Sequence, residues 1–167
     1  MDELWPSSER SGGLLEKVGD GITLSFEQYL RKILPMTLKK DRDPKAEISP
    51  FEKTKCRGLL GALQWPGGQG VPSLTASTSI IASELAGGNG ETMLALNKTL
   101  RFAKETSRYP LQFPKLTDGF KDLCLLCFCD AAFGVRKDLA SQGGFLIMLT
   151  DKSVLHGKKV KYSILSW

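Results

Sequence analysis

Only one histidine, His156, occurs in the chain, and cysteine occurs four times. A tetrahedral zinc site takes four such ligands in mutual reach, so it would have to draw on nearly all of these residues. Three of the thiols fall within "CLLCFC" (Cys124, Cys127 and Cys129). On a strand, however, Cys127 and Cys129 face one side and Cys124 the other. Small hydrophobes in a buried strand account for them more simply. His156, between a turn and "GKKV", reads as a surface residue. No stretch approaches the length of a membrane span, and the start, "MDELWPSSERSGG", has neither the basic nor the apolar region of a secretory signal. The expectation is an intracellular chain with reduced thiols and no membrane partner.

A strong charge imbalance is lacking as well. Lys and Arg number 23 against 18 Asp and Glu, a net charge of +5, which suits a polyanionic partner without demanding one. With 167 residues, 41% hydrophobic and 25% charged, the composition is that of one globular domain or two small ones.

What is present is patterning. Residues 1–20 read as a polar leader, and "DG" at Asp20-Gly21 marks a turn. "LSFEQYLRKIL" then predicts a short helix capped by Ser25, with Gln28 completing a capping box and Pro35 near its end. "TLKKDRDPKAE" reads as a charged connector. "SPFE" (Ser49 to Glu52) starts a second helix, with serine as cap, proline at the first helical position and glutamate three residues after the cap. Cys56, Leu59, Leu60 and Leu63 form its apolar stripe, and "WPGGQG" is expected to stop it. A third helix is expected over Ser73 to Leu85, and a fourth from about Glu91 to Arg108. The fourth sets Met93, Leu96, Leu100 and Ala103 on one side and Lys98, Arg101, Lys104 and Arg108 on the other. Such a basic stripe is either a solvated face or a row of phosphate contacts.

From Tyr109 the period changes. Residues 109–121 read as a linker, and three strand-like segments follow in 122–167: Leu123 to Asp130, Gly144 to Thr150 and Val160 to Leu165. The first is apolar on both faces, which predicts a central strand; the third alternates, which predicts a half-exposed edge. A hairpin turn is expected at "TDKS". The fold class is therefore α+β, a small helical bundle over 21–108 followed by a three-stranded antiparallel sheet. Asp130, ending the apolar run "LCLLCFC", reads on these grounds alone as a turn or cap residue.

The order of blocks resembles copia-like LTR-retrotransposon Pol polyproteins. "CRGLLGALQW" (Cys56 to Trp65) is similar to that family's Y-R-S-L-V-G-S-L-x-Y segment, and "ALNKTLRFAKET" (Ala95 to Thr106) to its A-x-x-R-I-L-R-Y-L-K-x-T segment. "CFCDAAFGVRKDLASQGGFLIML" stands where the family has S-D-A-D-W-A-G, an interval, S-T-S-G and an apolar strand, and "SILSW" resembles the following I-S-W. The likeness runs from about Gly21 to Trp167. Two blocks depart from it: T-R-P-D-I is replaced by "GQGVPSL", and the second aspartate of S-D-A-D is Ala132.

The resemblance implies the thumb and connection end of a reverse transcriptase, followed by the first half of a ribonuclease H fold. It implies that Asp130 is a catalytic, metal-binding carboxylate for Mg²⁺ or Mn²⁺ in the complete protein, in an incomplete site that holds no ion stably by itself. The remaining ligands would lie downstream, and the polymerase aspartate pair, absent here as "DD", upstream. It also implies that Lys98, Arg101, Lys104 and Arg108 contact an RNA–DNA hybrid or duplex nucleic acid, with the remainder of the polyprotein as a further partner. Asp118, Asp122, Asp138 and Asp151 match no catalytic position. Two readings stand beside this one: a non-enzymatic α+β module binding nucleic acid or protein, and the remnant of a decayed element.

Overall fold

The computed structural model describes residues 7–38, 41–117, 119–134 and 139–167, apart from the side chain of Arg10. It is a mixed α/β structure. Contacts divide it into two compact units, one built on Leu24–Pro110 with Ser8–Leu15 and one on Leu111–Trp167 with Glu16–Thr23.

The stretch expected to be a polar leader differs from that expectation, since it holds strands β1 (Ser7–Arg10) and β2 (Gly13–Val18). Ser11 and Gly12 join them with φ of 53° and 82°. Positive φ at both central residues is the geometry of a two-residue hairpin turn that matches strand twist. Gly19, at φ 58°, turns the chain again into β3 (Gly21–Ser25). The region expected to be helical from residue 21 therefore begins as a strand. With β4 (Leu111–Phe113), inside the expected linker, these make a sheet of order β1-β2-β3-β4.

Because β3 claims Ser25, helix α1 (Glu27–Lys32) starts later than the sequence suggests, with Phe26 at its N-cap. The capping box at Ser25 does not form; its hydroxyl accepts instead from the Glu27 N–H at 3.2 Å. In α2 (Pro50–Gln69) the expected box does form, with Ser49 and Glu52 satisfying each other's backbone N–H groups. The helix continues through Pro66, which was expected to help stop it. An internal proline costs a helix about 3 kcal/mol. Pro66 and Gly67 are buried, so burial of the last turn offsets that cost. α3 (Thr75–Glu84) and α4 (Gly90–Thr106) follow, each entered or left through a short 3₁₀ turn or a cap, with Asn89 capping α4.

The core of this unit joins Leu30 of α1, Leu59, Leu60 and Leu63 of α2, Ile81 of α3 and Met93, Leu96 and Leu100 of α4. The charged connector is pinned to it. Ile48 N–H donates to the Gly88 carbonyl, Gly90 N–H to Ala46 and Glu91 N–H to Pro44, at 3.2, 3.2 and 2.8 Å.

In the other unit β5 (Leu123–Ala132), β6 (Gln142–Asp151) and β7 (Tyr162–Ser166) form an antiparallel meander. The order β5-β6-β7 corrects the expectation for the first strand: β6 is central and β5 lies at an edge. Leu125 and Phe128 are exposed on opposite faces of β5. The turn at "TDKS" becomes a 3₁₀ segment, Lys152–His156, capped by Asp151 and ended by Gly157 at φ 76°.

Candidate functional site

Asp130 is the eighth of ten residues in β5 and pairs with Gly144 of β6. Its side chain shares a face with Leu126 and Phe128, is exposed, and accepts from the N–H of Ala131 at 2.9 Å. Of the other aspartates weighed from sequence, Asp118 and Asp138 lie outside the described residues. Asp122 closes a 3₁₀ turn, and Asp151 caps the next, accepting from Ser153 N–H at 2.7 Å. That backbone hydrogen bond holds the Asp151 carboxyl below the usual carboxylate range. Among the described residues no three His, Cys, Asp or Glu side chains gather into a group able to hold a metal.

The basic residues of α4 separate into two sets. Lys104 is half-buried, and its ammonium donates to the Ile33 carbonyl at 2.7 Å and to Arg31 at 3.4 Å. These carbonyls lie at the C-terminal end of α1, where a cation is favoured by the helix dipole. Two turns earlier on the same face, Asn97 exchanges two hydrogen bonds of 2.8 Å with the backbone of Met36. This face of α4 thus fastens the chain that leaves α1. Lys98 and Arg101 are exposed, with exposed Glu105 beside them; Arg108, expected as the last residue of this helix, is also exposed but lies in a turn beyond the end of α4 at Thr106. Arg108 also stacks over the ring of Tyr109 at 5.0 Å, an exposed cation and aromatic pair of the kind that nucleobases can join.

Two further features emerge from the structure. Arg42, from the connector, bonds to Glu52 and to the Glu47 carbonyl at 2.9 Å, in an open groove of about 1200 Å³ walled by Leu34, Phe51 and Leu59. Lys55, also lining it, sits 4.5 Å over the ring of Phe51. Both cations of the groove are engaged within it, so it presents no obvious anion cradle. The second corrects the sequence reading: Cys127 and Cys129, expected as small hydrophobes in a buried strand, are exposed because β5 is an uncovered edge strand, and their sulfurs lie 3.5 Å apart. Strand alternation had placed them on one face; their separation is legible only in the structure. No helix among the described residues is long and apolar enough to cross a membrane. No protein-family model, curated protein or solved structure matches the chain.

Proposed function

We propose that the chain is a segment of a copia-like Pol polyprotein, from the end of its reverse transcriptase into its ribonuclease H region, and that it helps to hold an RNA–DNA hybrid or duplex. What supports the reading is the antiparallel β5-β6-β7 meander, with Asp130 near the end of its first strand, following a helical unit. Exposed Lys98, Arg101 and Arg108 supply the phosphate contacts in this reading; Lys104 is engaged with α1. Asp130 is one exposed carboxylate, and two-metal hydrolysis takes several around the ions. The described residues therefore do not fit a bound Mg²⁺ or Mn²⁺ pair, and no hydrolytic step is assigned to this chain.

The test is fluorescence anisotropy with labelled RNA–DNA hybrids and DNA duplexes of several sequences across a salt series. Affinity is expected to be independent of sequence and to fall steeply with salt. Replacing Lys98, Arg101 and Arg108 together by glutamine should weaken binding to all sequences alike and lower the salt slope by about three. Binding that is absent, or unchanged in the triple variant, transfers the argument to a protein-binding α+β module, which the exposed apolar residues of β5 and β6 favour.

A further inference from the structure

Cys127 and Cys129 are alternate residues of a strand that is paired with β6 along its whole length. Backbone pairing fixes both Cβ atoms on one face, opposite Ile147 and Phe145, and leaves both thiols exposed. The sulfurs stand 3.5 Å apart. Two sulfurs each about 2.3 Å from one soft centre are about 4.6 Å apart when collinear with it and about 3.8 Å apart at a tetrahedral angle. The observed separation is closer still and corresponds to about 100° at such a centre, so it suits a pyramidal centre and disfavours linear two-coordinate ligation. Zinc would need two further ligands, and no group of three or more His, Cys, Asp or Glu forms among the described residues. Cys124 is on the opposite face, and Cys56 is buried in the helical unit.

The geometry points to a bidentate dithiol site, Cys127 with Cys129, for a soft trivalent centre whose third bond is already filled, the chemistry of a monosubstituted trivalent arsenical. With phenylarsine oxide as the probe, two As–S bonds form and the arsenic–oxygen double bond breaks. The oxygen takes both thiol protons and leaves as water. Arsenic stays trivalent, so nothing is oxidised or reduced. The hydrogen bond between the thiols holds Cys127 above the ordinary thiol range, which slows attack through its thiolate, while the net exchange of two thiols for water is unchanged.

The full reduced chain is treated with one equivalent of phenylarsine oxide, and intact mass and free thiols are measured. A one-to-one adduct is expected, with two of the four thiols lost, stable to excess 2-mercaptoethanol and reversed by ethanedithiol. Cys127→Ser and Cys129→Ser should each abolish the stable adduct, with circular dichroism confirming retained structure; Cys124→Ser and Cys56→Ala should keep it. No adduct on the wild-type chain overturns the proposal, and so does an adduct that survives in Cys127→Ser or is lost in Cys124→Ser.

Discussion

At the residue scale, the start of α2 shows how far local pattern reaches. Ser49 and Glu52 are legible as a capping box because the signal lies within four residues, and the box forms. Arg42, which completes the arrangement by bonding to Glu52, lies ten residues upstream in a run of charges that reads as solvated connector. Nothing local distinguishes it from its neighbours. Glu52 accepts from the backbone N–H and the hydroxyl of Ser49, both at 2.9 Å. These bonds, and then Arg42, hold its carboxyl below the usual range. A carboxyl depressed on folding contributes stability above its unfolded pKa, and that contribution is lost as pH falls through the folded value. Glu52→Gln should therefore melt below the wild type at pH 7, and the gap should close as pH falls through the depressed folded-state value, as followed by circular dichroism. Ser49→Ala, which removes the cap, should cost about 1 kcal/mol in urea unfolding at pH 7.

At the scale of elements, α4 was legible in its buried stripe and misleading in its polar one. Met93, Leu96, Leu100 and Ala103 recur at helical spacing and are buried. Lys104 shares the basic character of Lys98 and Arg101, so charge patterning groups it with them, although the structure joins it with Asn97 in holding the segment after α1. That grouping depends on where α1 ends in space, which no local pattern encodes. The same reason explains Pro66, whose tolerance rests on burial of the turn that contains it. Asn97→Ala would leave the N–H and carbonyl of Met36 without these partners in a partly buried place. A loss of about 1 to 3 kcal/mol is expected in urea unfolding, with faster hydrogen exchange at the Met36 amide. Exposed Lys98→Gln should stay within about 0.5 kcal/mol of the wild type. Equal effects from the two would mean that the Asn97 clamp contributes nothing.

At the scale of the whole molecule, the α+β class and the antiparallel order of the last three strands follow from runs of alternating or apolar residues, whereas the place of β5 does not. A strand apolar on both faces reads as central because covered sheets have such strands. Which strands neighbour it is settled by non-local pairing, and here β6 occupies the centre. β5 consequently carries Leu125 at 62% exposure and Phe128 at 56%, with one ladder edge unpaired within its three-stranded sheet. A long apolar edge of this kind is a template for pairing with another chain, and a lysine on it is the common means of blocking that. The wild-type chain should scatter light increasingly with concentration on warming. Leu125→Lys should raise the onset temperature of that scattering while leaving the circular dichroism spectrum unchanged, since the side chain is mostly in solvent. Leu34→Lys, which adds the same charge at a 79% exposed leucine of the helical unit, provides the comparison. An equal gain from both substitutions would attribute the effect to net charge; a gain confined to Leu125→Lys would locate self-association at the β5 edge.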